Sequence, residues 1–525
     1  MALVLRTIRH LRPRQVLDRL TRRWGPTPRI RPAPPVRAPE ARLAVPLPPR
    51  PISRLGSDTF RLLNLERQVQ RDAWVAPGEG RLWDYTFHYF DGLLAPAPDR
   101  RAKERWIADW MDRVPVGSRP AWDPYPASRR ILNWIRWDLT GGGPLPPEAA
   151  NSLATQVRHL EETLEYHLMA NHLLTNALAL VAAGCFFGGE EGDGWRSRGG
   201  AILGRELREQ FPADGGHYEL SPVYHALLLE DLLDVLQMAR ATGSFLDRAL
   251  EETARRASGW LAALRRPDGR VPLFNDAAYG QGPEPDPLLE YAATVLGAPV
   301  PHPTDGLLML RPSGYFRYGH GRLAVFGDAG PPGPPYQPGH AHCDLLSFEL
   351  CWDGSPLIVD TGTSTYDVGE RRHRERGTAA HNTLQVGELE QSEIWAGFRM
   401  ARRASVRRLE VGPARVEAEI RAFPAAWSRL ERSWIFEGET LRIRDRVCEL
   451  GRMGAPVTAR LHLHPGVSLV GEGDQWMAEG MRIRFEGARA VRRVPYEYAP
   501  AFNRRIPGIC LEADVGNELV TVLGP

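Results

Sequence analysis

The spacing of apolar residues along the chain changes near residue 304. Before that point apolar positions recur every three or four residues in segments separated by glycine and proline, which is typical of helices that bury one face. These segments run from Arg101 to Arg113, Ser128 to Leu139, Pro147 to Leu168, Asn171 to Phe187, Trp195 to Glu209, Pro222 to Ala241, Leu246 to Leu264 and Pro287 to Leu296. They predict an all-helical domain made of hairpins.

After Thr304 the chain consists of short runs that alternate in polarity or are continuously apolar. Examples are Tyr315 to Tyr318, Leu345 to Trp352 and Leu357 to Asp360. Such runs are typical of strands. The pattern predicts a helical domain over residues 55–304 and an antiparallel β-sandwich over residues 305–525.

The first 54 residues form a basic arm. From Gly25 to Arg54 the arm is rich in proline and arginine and has no apolar periodicity, so we expect a linker. Residues Leu5 to Trp24 place Ile8, Leu11, Val16 and Leu20 among arginines and predict an amphipathic helix. Such a helix either docks on the body or touches an anionic membrane; we favour docking and do not expect membrane contact.

Composition and charge restrict the function classes. The 525 residues include 66 Lys+Arg and 64 Asp+Glu, so a net charge of +2 does not favour nucleic acid as a partner. Five scattered cysteines without Cys-x-x-Cys spacing indicate a reducing compartment. Arg6 interrupts the only early apolar stretch, so we expect a cytoplasmic or peripheral protein, with non-standard export left open. Nothing in the sequence predicts the oligomeric state.

Three metal-type ligands are spread over the predicted strands. His342 lies in the segment Gly339 to Asp344, Asp360 ends an apolar run, and His381 opens His381-Asn382-Thr383. Two imidazoles and a carboxylate suit zinc. Because side chains alternate along extended chain, His340 would face the same way as His342 and could meet a substrate while His342 holds the ion. The alternative is that these are unrelated polar residues.

Two segments of the helical domain carry candidate chemistry. Asn171 begins a helix on which His172 and Asn176 share one face. Ser221 followed by Pro222 predicts a second helix start, which places Tyr224 in the first turn. The positive end of the helix dipole would lower the pKa of that phenol and make it a usable base. The alternative is a tyrosine that packs at a buried helix end.

In these segments the chain resembles the heparinase II/III family of polysaccharide lyases, which includes related alginate and glycosaminoglycan lyases. The motifs that carry the resemblance occur in order along most of the chain: Leu82-Trp83-Asp84-Tyr85, His88-Tyr89-Phe90-Asp91, Trp122-Asp123-Pro124-Tyr125-Pro126, Asn133-Trp134, Asn171-His172-Leu173, Asp214-Gly215-Gly216, Tyr224-His225, His340-Ala341-His342-Cys343-Asp344, Asp360-Thr361-Gly362 and Ala380-His381-Asn382-Thr383. The resemblance implies an incomplete (α/α) toroid followed by an antiparallel β-sandwich, with a polysaccharide cleft between them.

The resemblance also implies a reaction and its residues. The family cleaves the bond on the 4-oxygen of a uronic acid by β-elimination. Asn171 matches the amide that neutralises the uronate carboxylate, Tyr224 matches the acid and a candidate base, and His172 and His340 match its partners or the base for the opposite epimer. His342, Asp360 and His381 match the ligands of a structural metal, commonly zinc.

Further residues are candidates for contact with an acidic polysaccharide or oligosaccharide. Arginine forks suit carboxylate and sulfate groups, and amides and imidazoles suit sugar hydroxyls. These candidates are His88, Arg130, Asn133, Asn176, His225 and Arg376. For the arginines a solvated basic surface is the alternative.

Three functions remain open from the sequence. A lyase is favoured because amide, tyrosine, histidines and metal-type ligands are all present. A uronate C5-epimerase would use the same proton abstraction on the same scaffold. A non-catalytic polysaccharide-binding component of exopolysaccharide assembly would have no need of a base beside an amide.

Overall fold

A computed structural model describes residues 2–21, 27–142, 144–245, 247–422, 428–450 and 455–525. Leu246, where the sequence predicts one helix to begin, and Trp24, where it predicts another to end, lie outside them. Helices fill the first part of the chain and strands the second, with the change after residue 296. The helices are α1 (Ala2–Ile8), α2 (Pro13–Thr21), α3 (Arg81–Phe87), α4 (Arg100–Arg113), α5 (Pro124–Trp137), α6 (Pro147–Glu162), α7 (Ala170–Phe186), α8 (Gly189–Gln210), α9 (Pro222–Ala241), α10 (Arg248–Leu264), α11 (Pro285–Leu296) and α12 (Glu370–Arg376).

Local sequence explains where several helices begin. Proline occupies the start of α5, α6, α9 and α11, where its fixed φ is favourable and its missing N–H is not needed. The Asp99 carboxylate accepts a hydrogen bond from the Ala102 backbone N–H and caps α4. Proline also explains one difference from prediction: the single helix expected from Leu5 to Trp24 is broken before Pro13 into α1 and α2.

Helix α7 lies at the centre of the helical domain. It packs against α5, α8 and α9, and every one of its residues except His172 is buried. A helix that is apolar on all sides belongs in a core. The half-buried His172 is therefore the point at which α7 reaches a cleft.

The strands form two large antiparallel sheets. Their bounds are β1 (Thr59–Leu62), β2 (Leu65–Gln68), β3 (Gly306–Leu310), β4 (Tyr315–His320), β5 (Leu323–Asp328), β6 (Phe348–Trp352), β7 (Ser355–Ile358), β8 (Leu384–Val386), β9 (Ile394–Trp395), β10 (Arg399–Met400), β11 (Ser405–Gly412), β12 (Arg415–Arg421), β13 (Arg429–Glu437), β14 (Thr440–Glu449), β15 (Val457–Leu463), β16 (Leu469–Glu472), β17 (Gln475–Ala478), β18 (Met481–Glu486), β19 (Val491–Ala501), β20 (Arg504–Val515) and β21 (Glu518–Gly524).

The sheet order builds a sandwich. One sheet runs β11-β12-β13-β14-β21-β18-β17-β16, and the other runs β19-β20-β15-β7-β6-β5-β4-β3, with β8 also paired to β15. Buried side chains of both sheets share one hydrophobic core, to which Phe316, Trp434 and Leu511 belong. Strands β1 and β2 form a separate hairpin, as do β9 and β10.

The two domains share an interface close to α7 and α9. The Arg266 guanidinium, just after α10, pairs with the Glu349 carboxylate on β6 at 2.5 Å, and both side chains are buried. The Glu349 carboxylate also accepts hydrogen bonds from the backbone N–H groups of Leu273 and Asp360. Among the described residues, no helix combines the length and apolar character needed to cross a membrane.

Candidate active site

Three chain segments bring the candidate catalytic residues together at the domain interface. Asn171 and His172 lie in the first turn of α7, Tyr224 lies in the first turn of α9, and His340 lies in the loop between β5 and β6. Met169 and Leu220, close to the two helix starts, have positive φ angles of 61° and 59°. A positive φ angle is strained in a residue other than glycine, and such residues are found most often at functional sites.

Asn171, Tyr224 and His340 are in direct contact. The Asn171 Nδ2 atom lies 3.2 Å from His340 Nε2, and the rings of Tyr224 and His340 overlap with centroids 3.9 Å apart. The Asn171 side-chain oxygen is buried and has no hydrogen-bond partner among the described residues. An amide edge and an imidazole edge therefore face one small region between the domains.

Asp276 orients the histidine from behind. Its carboxylate accepts hydrogen bonds from His340 Nδ1 at 2.9 Å and from His342 Nε2 at 2.8 Å. The Arg372 guanidinium binds the same carboxylate through two nitrogens, at 2.5 and 2.7 Å. Burial alone would raise the pKa of Asp276, but Arg372 and the two histidines hold it well below its usual range. With Nδ1 donating to Asp276, the His340 Nε2 atom is left as a lone-pair acceptor.

Tyr224 is protonated rather than activated. Its hydroxyl lies 3.0 Å from Gln281 Nε2, which donates to it, and 3.3 Å from the Tyr366 hydroxyl. Burial, and then the neighbouring Tyr366, raise the pKa of Tyr224 well above 10. The prediction that the helix dipole lowers this pKa is wrong, because desolvation outweighs the dipole. The Ser221 hydroxyl also does not cap the helix; it donates to the Asp276 carbonyl oxygen.

His172 forms an ion pair with Glu165 at the edge of the same region. The two side chains are 3.1 Å apart between Nδ1 and Oε1. Burial lowers the pKa of His172, but the Glu165 carboxylate outweighs it and the net shift is upward. Asn176 holds Glu165 in place: its Nδ2 donates to Glu165 Oε2 and its Oδ1 accepts from the Glu165 N–H. Asn176 is fully buried, so its predicted contact with substrate is wrong, and it supports the His172 partner instead.

Three other predicted substrate contacts are core residues. His88, Arg130 and Asn133 are completely buried. His88 uses one ring nitrogen on the Val75 carbonyl and the other on the Trp110 indole. Arg130 donates to Gln156 and to two backbone carbonyls, and Asn133 bonds through both ends of its amide. Every one of these side chains stabilises the helical core, and none reaches the cleft.

His225 and Arg376 are also structural. His225 is buried against Trp260, with ring centroids 4.4 Å apart, and bonds to the Ala257 carbonyl and the His217 N–H. Arg376 is buried and donates to the Ala341 carbonyl oxygen at 3.0 Å, so it braces the loop that carries His340. Their predicted contacts with substrate are wrong because both side chains point into the protein.

The arginines that do face a cavity were not among the predicted contacts. An open cavity of about 550 Å³ is lined by Gly78, Gly80, Arg81, Asp84, Tyr85, Arg119, Pro120 and Asp123. Arg81 bonds to the Tyr85 hydroxyl at 3.0 Å and is close enough to lower the pKa of His172.

The predicted metal ligands lie next to the site but are not arranged around one point. The rings of His342 and His381 have centroids 5.3 Å apart, and His381 Nδ1 donates to Asp360 Oδ2 at 2.7 Å. Within the described ranges, three ligand atoms come within 4.8 Å of one another only in Glu230, Asp231 and Asp234 and in Glu419, Glu431 and Cys448. Both sets contain carboxylates that are paired with arginine. In the set of Glu230, Asp231 and Asp234, these pairs are buried and account for the clustering of the carboxylates.

The donor set beside the site nevertheless fits a metal. His342 Nδ1, His381 Nε2 and Asp344 Oδ1 are buried and have no partner among the described residues. Two free imidazole nitrogens and a free carboxylate oxygen are ligands that zinc accepts. Asp360 is engaged by His381 and by the Gly362 N–H, so it occupies the position of a carboxylate that orients a ligating histidine.

Sequence reasoning missed the residues that hold the site together. Asp276 and Glu219 are the main examples: Glu219 accepts the Asn171 N–H at 2.8 Å and lies 3.4 Å from His340 Nε2. Glu219 lies shortly before Ser221 and Tyr224 in the chain, outside the motifs of the family resemblance. Asp276 follows Asn275 in a stretch without periodicity, and no spacing in the sequence links it to His340.

Comparison with known proteins assigns the family. The model described as heparinase II/III N-terminus matches residues 148–284, and the model described as heparinase II/III-like, C-terminal, matches residues 302–513. A heparin-sulfate lyase of Bacteroides stercoris is 28% identical over 375 residues, covering 63% of this chain and 55% of the relative. A heparin-sulfate lyase of Pedobacter heparinus is 25% identical over 335 residues, covering 55% and 48%. The chain thus spans about half the length of these curated relatives.

Solved structures show the same fold. A heparinase III crystal structure superposes with a TM-score of 0.66 at 18% identity, covering 84% of this chain and 76% of that one. The heparinase III-BT4657 gene product gives a TM-score of 0.65 at 19% identity, covering 86% and 80%. The predicted architecture, a helical toroid followed by an antiparallel β-sandwich, is confirmed. Because the two family models match residues 148–284 and 302–513, the chain belongs to the heparinase II/III-like family.

Proposed function

We propose that the protein is a polysaccharide lyase that cleaves a uronic-acid-containing glycosaminoglycan by β-elimination. One observation carries the proposal: the contact of Asn171, Tyr224 and His340 between the two domains. The Asn171 amide lies 3.2 Å from the imidazole, and the phenol ring packs on the imidazole at a tilt of 33°. The curated relatives are heparin-sulfate lyases, which makes heparan sulfate the first substrate to test.

Each residue has a chemical role in the elimination. The Asn171 amide neutralises the uronate carboxylate, so that charge can spread into it when the proton on carbon 5 leaves. Asp276 takes the hydrogen on His340 Nδ1, so the lone pair is on Nε2. That lone pair faces Asn171 Nδ2 at 3.2 Å, and it accepts the carbon-5 proton once the amide turns to the substrate carboxylate. The C5–H bond breaks, a C4–C5 double bond forms, and the C4–O4 bond breaks.

The departing 4-oxygen needs a proton. The pKa of Tyr224 is raised by burial, so its hydroxyl carries a proton to donate. Tyr224 therefore acts as the acid toward the leaving oxygen. His172, whose pKa is raised by the Glu165 carboxylate, lies at the edge of the site as the ion-pair partner of Glu165.

We also propose a structural divalent metal, zinc by ligand type, next to His340. His342 Nδ1 and His381 Nε2 would bind it, with a carboxylate oxygen from Asp344 or Asp360. When bound, the ion would fix the loop that carries His340. Metal content of Asp344→Asn and Asp360→Asn distinguishes the two carboxylates, because the ligand variant loses metal and the outer variant retains most of it.

The test of the lyase proposal is the ultraviolet absorbance of unsaturated uronate. We expect it to rise when the protein is incubated with heparan sulfate or a related glycosaminoglycan. Tyr224→Phe removes the proton donor and is expected to abolish the rise while substrate binding is retained. Tyr218→Phe is the matched control, since the Tyr218 hydroxyl bonds to Tyr336 rather than to a catalytic candidate.

Two results would contradict the proposal. Turnover that survives in Tyr224→Phe would remove the tyrosine from the mechanism. Exchange of the carbon-5 proton with solvent, without chain cleavage on any polymer, would identify a C5-epimerase instead.

A further inference from the structure

Each N-terminal helix buries a polar side chain and exposes several large apolar ones, whereas Leu3 and Val16 are half-buried. The buried side chains of α1 and α2 are Thr7 and Gln15. The exposed large apolar residues are Val4, Leu5, Ile8, Leu17 and Leu20, with Leu17 at 61% and Leu20 at 80% exposure. Residues that are one helical turn apart lie on the same face, so each helix presents an apolar face to solvent. This is the reverse of ordinary docking, in which the apolar face is covered.

Polar contacts attach the two helices to both domains. On the β-domain, Arg6 pairs with Glu393 at 2.5 Å and the Trp395 indole N–H donates to the Thr7 hydroxyl at 3.0 Å. On the helical domain, the Gln15 amide donates to the Leu168 carbonyl oxygen, and Arg12 pairs with Glu209. These contacts fix the orientation of both helices, so the apolar faces are held outward.

The charge of the segment selects its partner. Residues 1–24 contain seven arginines and one aspartate. Arg9 and Arg14 are exposed, and within the described part of the chain neither has a carboxylate partner. Arg9 donates to His10, and the Arg14 guanidinium lies over the Tyr166 ring. An apolar face next to unpaired arginines is the composition of helices that lie in the headgroup region of anionic membranes.

We propose that α1 and α2 form a docking surface for an anionic lipid bilayer. Leu17 and Leu20 of α2, together with Val4, Leu5 and Ile8 of α1, would enter the headgroup region, and Arg9 and Arg14 would bind lipid phosphates. This inference departs from the sequence-based expectation, which assumed that the apolar residues dock on the body. It is independent of the proposed lyase activity.

The proposed docking surface lies close to the candidate cleft. Helix α2 rests on the segment just before Asn171, and α1 rests on the segment next to Phe398, whose ring lies 6.1 Å from that of His340. A bilayer bound to these helices would lie near the cleft, so the accessible polysaccharide would be one held close to a membrane.

The experiment is co-sedimentation of the full chain with vesicles. We expect binding to vesicles of equal parts phosphatidylcholine and phosphatidylglycerol, weaker binding to pure phosphatidylcholine, and a decrease at high salt. Leu17→Ser with Leu20→Ser should lower partitioning by at least about tenfold, since two leucines leave the interface. Phe245→Ser is the matched control, because Phe245 is 81% exposed but lies outside the surface.

Three outcomes would overturn the proposal. The first is no binding to anionic vesicles at low salt. The second is unchanged binding in the double serine variant, with circular dichroism confirming that it is folded. The third is a dimer by light scattering that the double serine variant dissociates, which would identify a second copy of the chain as the occupant.

Discussion

The buried pair of Asp276 and Arg372 makes the sharpest prediction of the structure. Both side chains are fully buried, and Arg372 donates to the Asp276 carboxylate through two nitrogens. Asp276→Ala would leave the guanidinium charge without a partner, at a cost of about 3–5 kcal/mol. Against a typical net stability of about 5–15 kcal/mol, the loss is a large fraction of the total.

A second substitution separates charge from packing. In Asp276→Ala with Arg372→Met both charges are gone, and replacing a buried pair by apolar groups is close to neutral. We expect the double variant to regain part of the stability that the single variant loses. The rest stays lost, because His340 Nδ1 and His342 Nε2 have no Asp276 acceptor in either variant. The measurement is urea denaturation of both variants and of the wild type. A double variant no more stable than Asp276→Ala would refute the reasoning, because the uncompensated charge would then not be the cause.

The same site predicts a separate effect on turnover. Asp276→Asn keeps the shape but weakens the acceptor that holds the His340 proton on Nδ1, so we expect a decrease in kcat of about 10²- to 10⁴-fold. Asp445→Ala is the control: Asp445 is held by a buried arginine in the same two-nitrogen manner but contacts none of the catalytic candidates. It should lower stability and leave kcat of the folded fraction unchanged.

Further predictions concern other residues. The pair of His172 and Glu165 stabilises the fold most between two pH limits. The stability from His172 is complete below pH 6.5 and is lost as the pH rises through its raised pKa. The stability from Glu165 is complete above pH 4.5 and is lost as the pH falls through its lowered pKa. When Tm is measured at a series of pH values, the difference in Tm between the wild type and His172→Gln should therefore be largest between pH 4.5 and pH 6.5. Arg130→Met should cost about 1–3 kcal/mol of stability in chemical denaturation while KM stays unchanged, because Arg130 bonds only inside the core. His381→Ala should lower the metal content of the purified protein measured by mass spectrometry, whereas His225→Ala should not; equal content would refute the metal proposal.

The helical and strand segments could be predicted from the sequence because their cause is local. The period of apolar residues found α4 and α9 within one residue of their ends and gave the change of architecture near residue 304. Other boundaries differed: α5 begins at Pro124 rather than Ser128, and α8 begins at Gly189 rather than Trp195. α6 ends at Glu162 rather than Leu168, and the short α3, with seven residues, carries too little periodicity to be seen.

Burial was the main cause of error at the site. His88, Arg130 and Asn133 carry the polar groups that a sugar site needs, and His88 and Asn133 lie in motifs of the family resemblance. All three are fully buried. A sequence shows which hydrogen-bonding groups a residue has, but only packing shows whether those groups face a cleft or one another.

The sequence by itself determined the family, the order of a helical and a β domain, and the candidates Asn171, Tyr224 and His340, because motifs and periodicity are properties of short segments. Tertiary structure alone decided that Asp276 orients His340 from 64 positions away, that burial keeps Tyr224 protonated, and that the leucines of α2 face outward. The physical reason is the same in each case. Desolvation and hydrogen-bond partners depend on which distant segments pack together, and no local pattern records that choice.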